Sequence, residues 1–284
     1  MTTTTAGPGP SVAGVGALLR GWRERRRISQ LELALRADSS ARHISFIETG
    51  RSRPSQAMVL RLAEHLDVPV RERNALLVAA GYAPSFPETP LRDPAMSPLR
   101  DGLDRLLAAY DPYPALVLDG MYDVVAANRG VGLLLDGVAG HLLRPPMNAL
   151  RITLHPQGLA PRILNFREWR GHLLERVERQ ITMSGYAPLR RLHEELAAYP
   201  VDGAHPDPPA PDGPHVPLAL PLRVAHGGRE LSFLSTAATF NTPMDITVSE
   251  LAIETFLPAD PETAAALRAG TPPVSPAESG PGSR

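Results

Sequence analysis

Between Ser29 and Ser55 the chain starts and stops helices too often for anything but a compact helical domain. Ser29 is a good N-cap, and Glu32 follows at the spacing of a capping box. Ser40 offers a second start, Gly50 a stop and Ser55 a third start. Apolar residues fill the intervals at helical spacing. Val15, Leu18, Leu19 and Trp22 precede the stretch, and Met58, Val59, Leu62, Ala63 and Leu66 follow it. Inside it, Leu31, Ala34 and Leu35 are expected to face a core, as are Ile44 and Ile47. Arg71 to Ala80 supplies a fifth helix, ended by Gly81. The expectation is an all-α domain of five helices over residues 13–82.

Two short helices joined by a tight turn have the geometry of a helix-turn-helix. Ala34 is the small residue at the crossing, Asp38 sits at the turn, and Ile44 and Ile47 point inward. Arg42, Ser45, Phe46 and Thr49 then face outward, with His43 at the margin. A helix laid in the major groove would present these groups to base edges. The charge distribution agrees. The net charge of −1 conceals twelve arginines against seven acids from Met1 to Tyr82, and an acidic remainder. A basic segment beside an acidic one is what a polyanion partner for the first domain predicts.

Ala83 to Pro98 carries five prolines and reads as a semi-rigid linker, residues 83–98. Beyond it, Leu99 to Tyr110 is helical. Two apolar runs flank Asp119-Gly120 and two more flank Gly227-Gly228, both hairpin signals, and Glu250 to Pro258 gives a last strand. Helical patterns fall near 129–135, 168–183 and 188–199. Residues 201–217 read as a loop. This second domain, 99–269, is α+β with about five antiparallel strands. The ends, 1–12 and 270–284, have the composition of disordered tails.

Several chemistries are absent from the pattern. There is no cysteine, so no disulfide, thiolate metal site or cysteine nucleophile. His193-Glu194 lacks a second histidine four residues on, so no helical zinc site is expected, and no phosphate loop or Gly-x-Ser-x-Gly occurs. The reading is of a chain with no catalytic residues, no metal and no cofactor. No apolar run reaches the roughly 18–20 residues that span a bilayer, and the N-terminus lacks a secretory pattern. A cytoplasmic protein is expected.

The segments "SQLELA", "SSARHISFIETGRSRPS" and "LRLAEHL" resemble the DNA-binding domain of lambda-repressor-like, or XRE, regulators. The resemblance implies a double-stranded DNA partner met by Gln30, Ser39, Ser40, Ala41, Arg42, His43, Phe46, Arg51 and Arg53. Gln30 and Ser40 would grip phosphates, Ala41, Arg42 and Phe46 would face bases, and Arg51 and Arg53 would follow the backbone. It also pairs Arg23 with Glu48. Asp38 stands where the family usually has glycine; aspartate reaches positive φ more readily than most residues.

Tyr110 to Leu135, "NFREWRGHLLERV" and Ala238 to Asp260 resemble the ligand-binding domain of MmyB-like regulators. That implies a PAS-like antiparallel sheet with helices and a small-molecule pocket, with a fatty-acid-like ligand as one candidate. Ala127-Asn128 stands where many relatives carry Trp-Asn. An acyl ligand needs an apolar slot with a polar end. Asn128, Trp169, Arg170, His172 and Met183 are the candidate contacts, Arg170 as a partner for a carboxylate. The plain alternative is that Trp169, Leu173 and Val177 are core and that Asn128 caps a helix.

One such helical module covers too few base pairs for strong selectivity, so a homodimer on a near-palindromic site is expected. The function expected is a DNA-binding transcription regulator with a ligand-sensing second domain. The alternative is an antitoxin-like interaction protein whose second domain binds a protein. An apolar cavity would favour the first and a flat exposed apolar face the second.

Overall fold

The computed structural model describes residues 14–201 and 219–269. The expected tails and the loop from 202 onward lie outside the described residues. Among the described residues no helix is long and apolar enough to cross a membrane. The chain divides into two compact units. Of the described residues, the first takes 14–96, 177–190 and 240–250, and the second takes the rest.

Five helices open the first unit: α1 Val15–Arg25, α2 Gln30–Arg36, α3 Ala41–Glu48, α4 Gln56–His65 and α5 Val70–Ala79. Three begin on the expected serines. The hydroxyls of Ser29, Ser40 and Ser55 accept from the backbone N–H groups of Glu32, His43 and Met58, satisfying donors that a helix start leaves orphaned.

All five helices end the same way. Arg27, Asp38, Gly50, Asp67 and Gly81 each take positive φ. The residue after each donates back to the carbonyl five positions earlier, as Ser39 does to Ala34 and Val68 to Ala63. This is the Schellman closure. Glycine is the usual occupant, yet three of the five positions are Arg or Asp.

The core of this unit gathers Leu19, Trp22, Leu33, Ala34, Ile44, Ile47, Leu62 and Leu77. Leu31 and Leu35 depart from the expectation: they are 61% and 74% exposed, and Leu33 and Ala34 are the buried pair of α2. A seven-residue helix presents under two turns to its neighbours, so its inward face is narrow. Gly16 explains how α1 approaches α3. A β-carbon there would collide with the carbonyls of Ile47 and Glu48.

The proline-rich segment is fastened to this unit rather than left as a spacer. Asn74 accepts from the N–H groups of Ser85 and Phe86 and donates to the carbonyl of Phe86. Arg71 bonds Glu88 and Glu250 together. The prolines do keep it from being one helix; a short 3-10 turn forms at Pro94–Met96 and leads into the helix that starts at Ser97.

The remaining elements are α6 Ser97–Tyr110, β1 Ala115–Leu118, β2 Val124–Ala127, α7 Gly132–Leu135, α8 Ala149–Leu154, α9 Phe166–Ser184, α10 Ala187–Ala197, β3 Leu222–His226, β4 Arg229–Thr239, α11 Ile246–Glu250, β5 Ala252–Pro258 and α12 Pro261–Ala269. The strands form one antiparallel sheet in the order β2-β1-β5-β4-β3, which fits a PAS-like fold. Gly227 and Gly228 both take positive φ, as a two-residue turn matched to strand twist requires. In the other hairpin the positive φ falls on buried Tyr122, not on Gly120. There Asp119 holds the turn, its carboxylate accepting from the N–H groups of Met121 and Asp123.

Candidate DNA interface and ligand cavity

The outward face of α3 carries an exposed Arg42, a half-buried His43 and a half-buried Phe46. Phe46 lies outside the buried core, and its ring sits 5.2 Å from the Arg42 guanidinium and 6.0 Å from that of Arg51. The aromatic face attracts both cations and holds them on this side of the helix. Ser40 stands at the start of α3 with its hydroxyl on the N–H of His43. Ala41 packs against the core edge, and Ser39 lies in the turn.

Two of the residues assigned to phosphates are engaged inside the protein. Gln30 donates to Glu48 at 2.8 Å. Arg53 donates through Nε and Nη2 to the carbonyl of Ala80, at 3.1 and 2.8 Å, and lies over the Tyr82 ring. It thus satisfies a carbonyl at the end of α5. Arg51 is exposed. Arg51→Ala is expected to reduce the salt dependence of DNA affinity by about one unit of slope, as loss of one phosphate contact does. Arg53→Ala should instead lower the melting temperature with a smaller change of slope. Binding titrations across salt concentrations, with melts of both variants, check this.

Arg23 and Glu48 form a bidentate pair, Nε to Oε1 at 2.6 Å and Nη2 to Oε2 at 3.0 Å. Arg23 also donates to the carbonyl of Ile28.

In the second unit a cavity of about 90 Å³ opens between the sheet and the helices. Its wall includes Leu116 and Ala127 from the sheet, Leu134 and Leu150 from short helices, and Trp169 and Leu173 from α9. Ala127 is exposed, which places it at the mouth. Among the described residues of the wall only Thr153 and Glu254 are not apolar, and the Thr153 hydroxyl donates to the carbonyl of Ala149. Glu254 is 7% exposed. Its Oε1 accepts from Arg176 Nη1 at 3.0 Å and from the Ser235 hydroxyl at 2.8 Å. Burial works against the Arg176 charge, but Glu254 and Tyr122 outweigh it and its pKa is raised.

The sheet register explains the placement. Ala127 faces Leu116 across β2 and β1, and Leu116 faces Glu254 across β1 and β5. One cross-strand row thus runs from the mouth to the carboxylate.

Of the candidate ligand contacts, Trp169 lines the cavity and is 3% exposed. Asn128 stands at the start of a 3-10 turn but makes no side-chain cap there. It accepts from the N–H of Ala115 and donates to the carbonyls of Leu107 and Tyr113, joining α6 to β1. Arg170 donates to the carbonyl of Ala197, and its Nε is buried without a partner among the described residues. His172 stacks near Trp169, ring centres 5.5 Å apart, outside the wall. Met183 is 57% exposed, and the packing puts it in the first unit. Helical spacing places these residues near one another along α9, but a 19-residue helix presents several faces.

Glu254, Ser235 and Arg176 were not singled out from the sequence. The visible signal was an acid within the apolar run "LAIETFLP", since a charge inside a strand buried on both faces needs a partner.

Residues 99–269 match the family described as the MmyB-like transcription regulator ligand binding domain. The chain belongs to the MmyB-like transcription regulators. Residues 19–73 match the helix-turn-helix family, so this member is a DNA-binding regulator. No curated protein matches the chain. Among solved structures, the clp gene regulator ClgR from Corynebacterium glutamicum is 24% identical, covers 37% of this chain and 99% of its own, and has a TM-score of 0.22. An RNA-binding light-oxygen-voltage receptor is 14% identical, covers 90% of this chain and 60% of its own, and has a TM-score of 0.25. Scores this low add nothing to the fold argument.

Proposed function

We propose that this MmyB-like regulator reads operator DNA as a homodimer through α3 and Arg51, and that a slim, mainly apolar ligand in the second unit biases that binding. The observation that carries the reading is the cavity: an apolar slot with a mouth at Ala127 and a buried carboxylate in its wall. Ligand sites commonly join apolar walls to a few placed polar groups. At about 90 Å³ it is smaller than a ~150 Å³ apolar cavity that takes one benzene. A ligand must therefore be slender or must widen the slot. A ligand shifts DNA affinity only by binding one arrangement of the protein better than another.

The antitoxin-like alternative calls for an exposed apolar face on the second unit, where the exposed large apolar side chains among the described residues are Val125, Leu164 and Leu257. Three such residues are a small patch by the standards of a protein interface, so the cavity outweighs them.

Native mass spectrometry of the full chain tests the proposal. The expected result is a dimer carrying a small molecule. Ala127→Trp, which restores the residue many relatives carry, should narrow the mouth and lower the share of protein carrying the molecule without unfolding it, since position 127 is exposed on an edge strand. A ligand-free monomer, at concentrations where operator DNA is saturated, would sink the reading.

At the DNA, Arg42→Ala is expected to lose about 1–3 kcal/mol of discrimination at one base pair, the worth of one bidentate base contact. Unchanged affinity for both operator and scrambled DNA would remove Arg42 from the interface.

A further inference from the structure

The cavity wall is almost without polar side chains, so the few it has decide which ligand end it accepts. Thr153 has committed its hydrogen to the carbonyl of Ala149. The indole N–H of Trp169 is a neutral donor. Glu254 is an acceptor, and both of its donors, Arg176 and Ser235, meet Oε1. Oε2 stands outside those two bonds. Arg176, the cation nearest to this carboxylate, does not line the cavity. It sits against Glu254 and the Tyr122 ring, 5.4 Å from the ring centre. Its Nη1 is already paired with Glu254.

We propose that Glu254 anchors the ligand's polar end, and that the cavity takes a slim apolar chain ending in a hydrogen-bond donor, a hydroxyl or an amine, rather than a free carboxylate. This rests on the cavity being the ligand site. A hydroxyl can donate to Glu254 as a neutral group. An ammonium can serve Glu254 alone. A carboxylate can only accept, so it would meet Glu254 as a like charge in an apolar wall, where such contacts are costly. The acyl chain of the fatty-acid-like expectation is kept, and its head group is changed.

The test is binding of 1-octanol, octylamine and octanoate to the full chain at pH 7, read by calorimetry and thermal shift. Octanol, octylamine or both should bind at least about tenfold more tightly than octanoate. Ala127→Trp should weaken whichever binds, which separates the cavity from surface adsorption. Glu254→Gln keeps an acceptor and removes the charge, so it should narrow the gap by admitting octanoate. If Glu254→Gln fails to fold, the wild-type comparison still decides. Octanoate binding as tightly as the other two, or more so, overturns the head-group assignment and leaves the cavity as ligand site. If none of the three binds, both fail together.

Discussion

Glu48→Leu is expected to cost the helical unit about 3–5 kcal/mol, because it strands a charged guanidinium in the core edge. The side chains of Arg23 and Glu48 are 12% and 3% exposed. Glu48 collects three donors: Arg23 Nε and Nη2, and Gln30 Nε2. Arg23 also donates through Nη1 to the carbonyl of Ile28, just past the turn that closes α1. One carboxylate therefore ties α1, the start of α2 and the end of α3. Removing it unpairs Arg23 and Gln30 together, whereas removing Arg23 leaves Glu48 with Gln30 alone. Arg23→Met should thus be comparably harmful. The double variant should recover much of the loss, since apolar replacement of a whole buried pair is often neutral. Denaturant titrations of the three variants give the coupling. Additive single losses would show that the pair contributes nothing as a pair.

Phe233→Ala should cost the second unit about 3–5 kcal/mol, the usual range for removing a buried phenylalanine. Phe233 is fully buried on β4, opposite Leu222 on β3 and Pro258 on β5. Its ring meets Phe256 edge-on, with centres 6.4 Å apart, and Phe256 lines the cavity. The hole left by the substitution would let Phe256 relax, so weaker ligand binding should accompany the lower stability. Val125, 38% exposed on β2, is the control; Val125→Ala should stay within about 0.5 kcal/mol. Melts and ligand titrations on both variants check this. Full stability of Phe233→Ala would mean that the sheet face repacks freely.

Much of the fold was legible because its signals are local. An N-cap serine acts on a backbone N–H three residues away, and a two-glycine turn acts on itself. The starts at Ser29, Ser40 and Ser55, the stops at Gly50 and Gly81, and the hairpin at Gly227-Gly228 could therefore be read from adjacent residues. The helix stops at Arg27 and Asp67 were not legible. Neither residue favours positive φ as glycine does; the surrounding packing holds them there. The short helices α8, α11 and α12 also carried too little periodicity to read.

The sequence by itself determined the order of the strands and longer helices, the helix-turn-helix with its outward Arg42 and Phe46, and the family to which both halves are similar. Tertiary structure decided everything that depends on which surface meets which. It turned Leu31 and Leu35 outward, because α2 is too short to bury a broad face. It required Gly16, because α1 approaches the backbone of α3 there. It drew Gln30 and Arg53 into internal bonds, because spare acceptor capacity on Glu48 and the carbonyl of Ala80 lay within their reach. It set Glu254 in the cavity wall rather than Met183 or Arg170, because cross-strand register, not spacing along one helix, brings residues of β1, β2 and β5 into one row. Spacing along the chain fixes neighbours within an element, while the pairing of distant elements is settled only when burial and hydrogen bonding are satisfied for all of them at once.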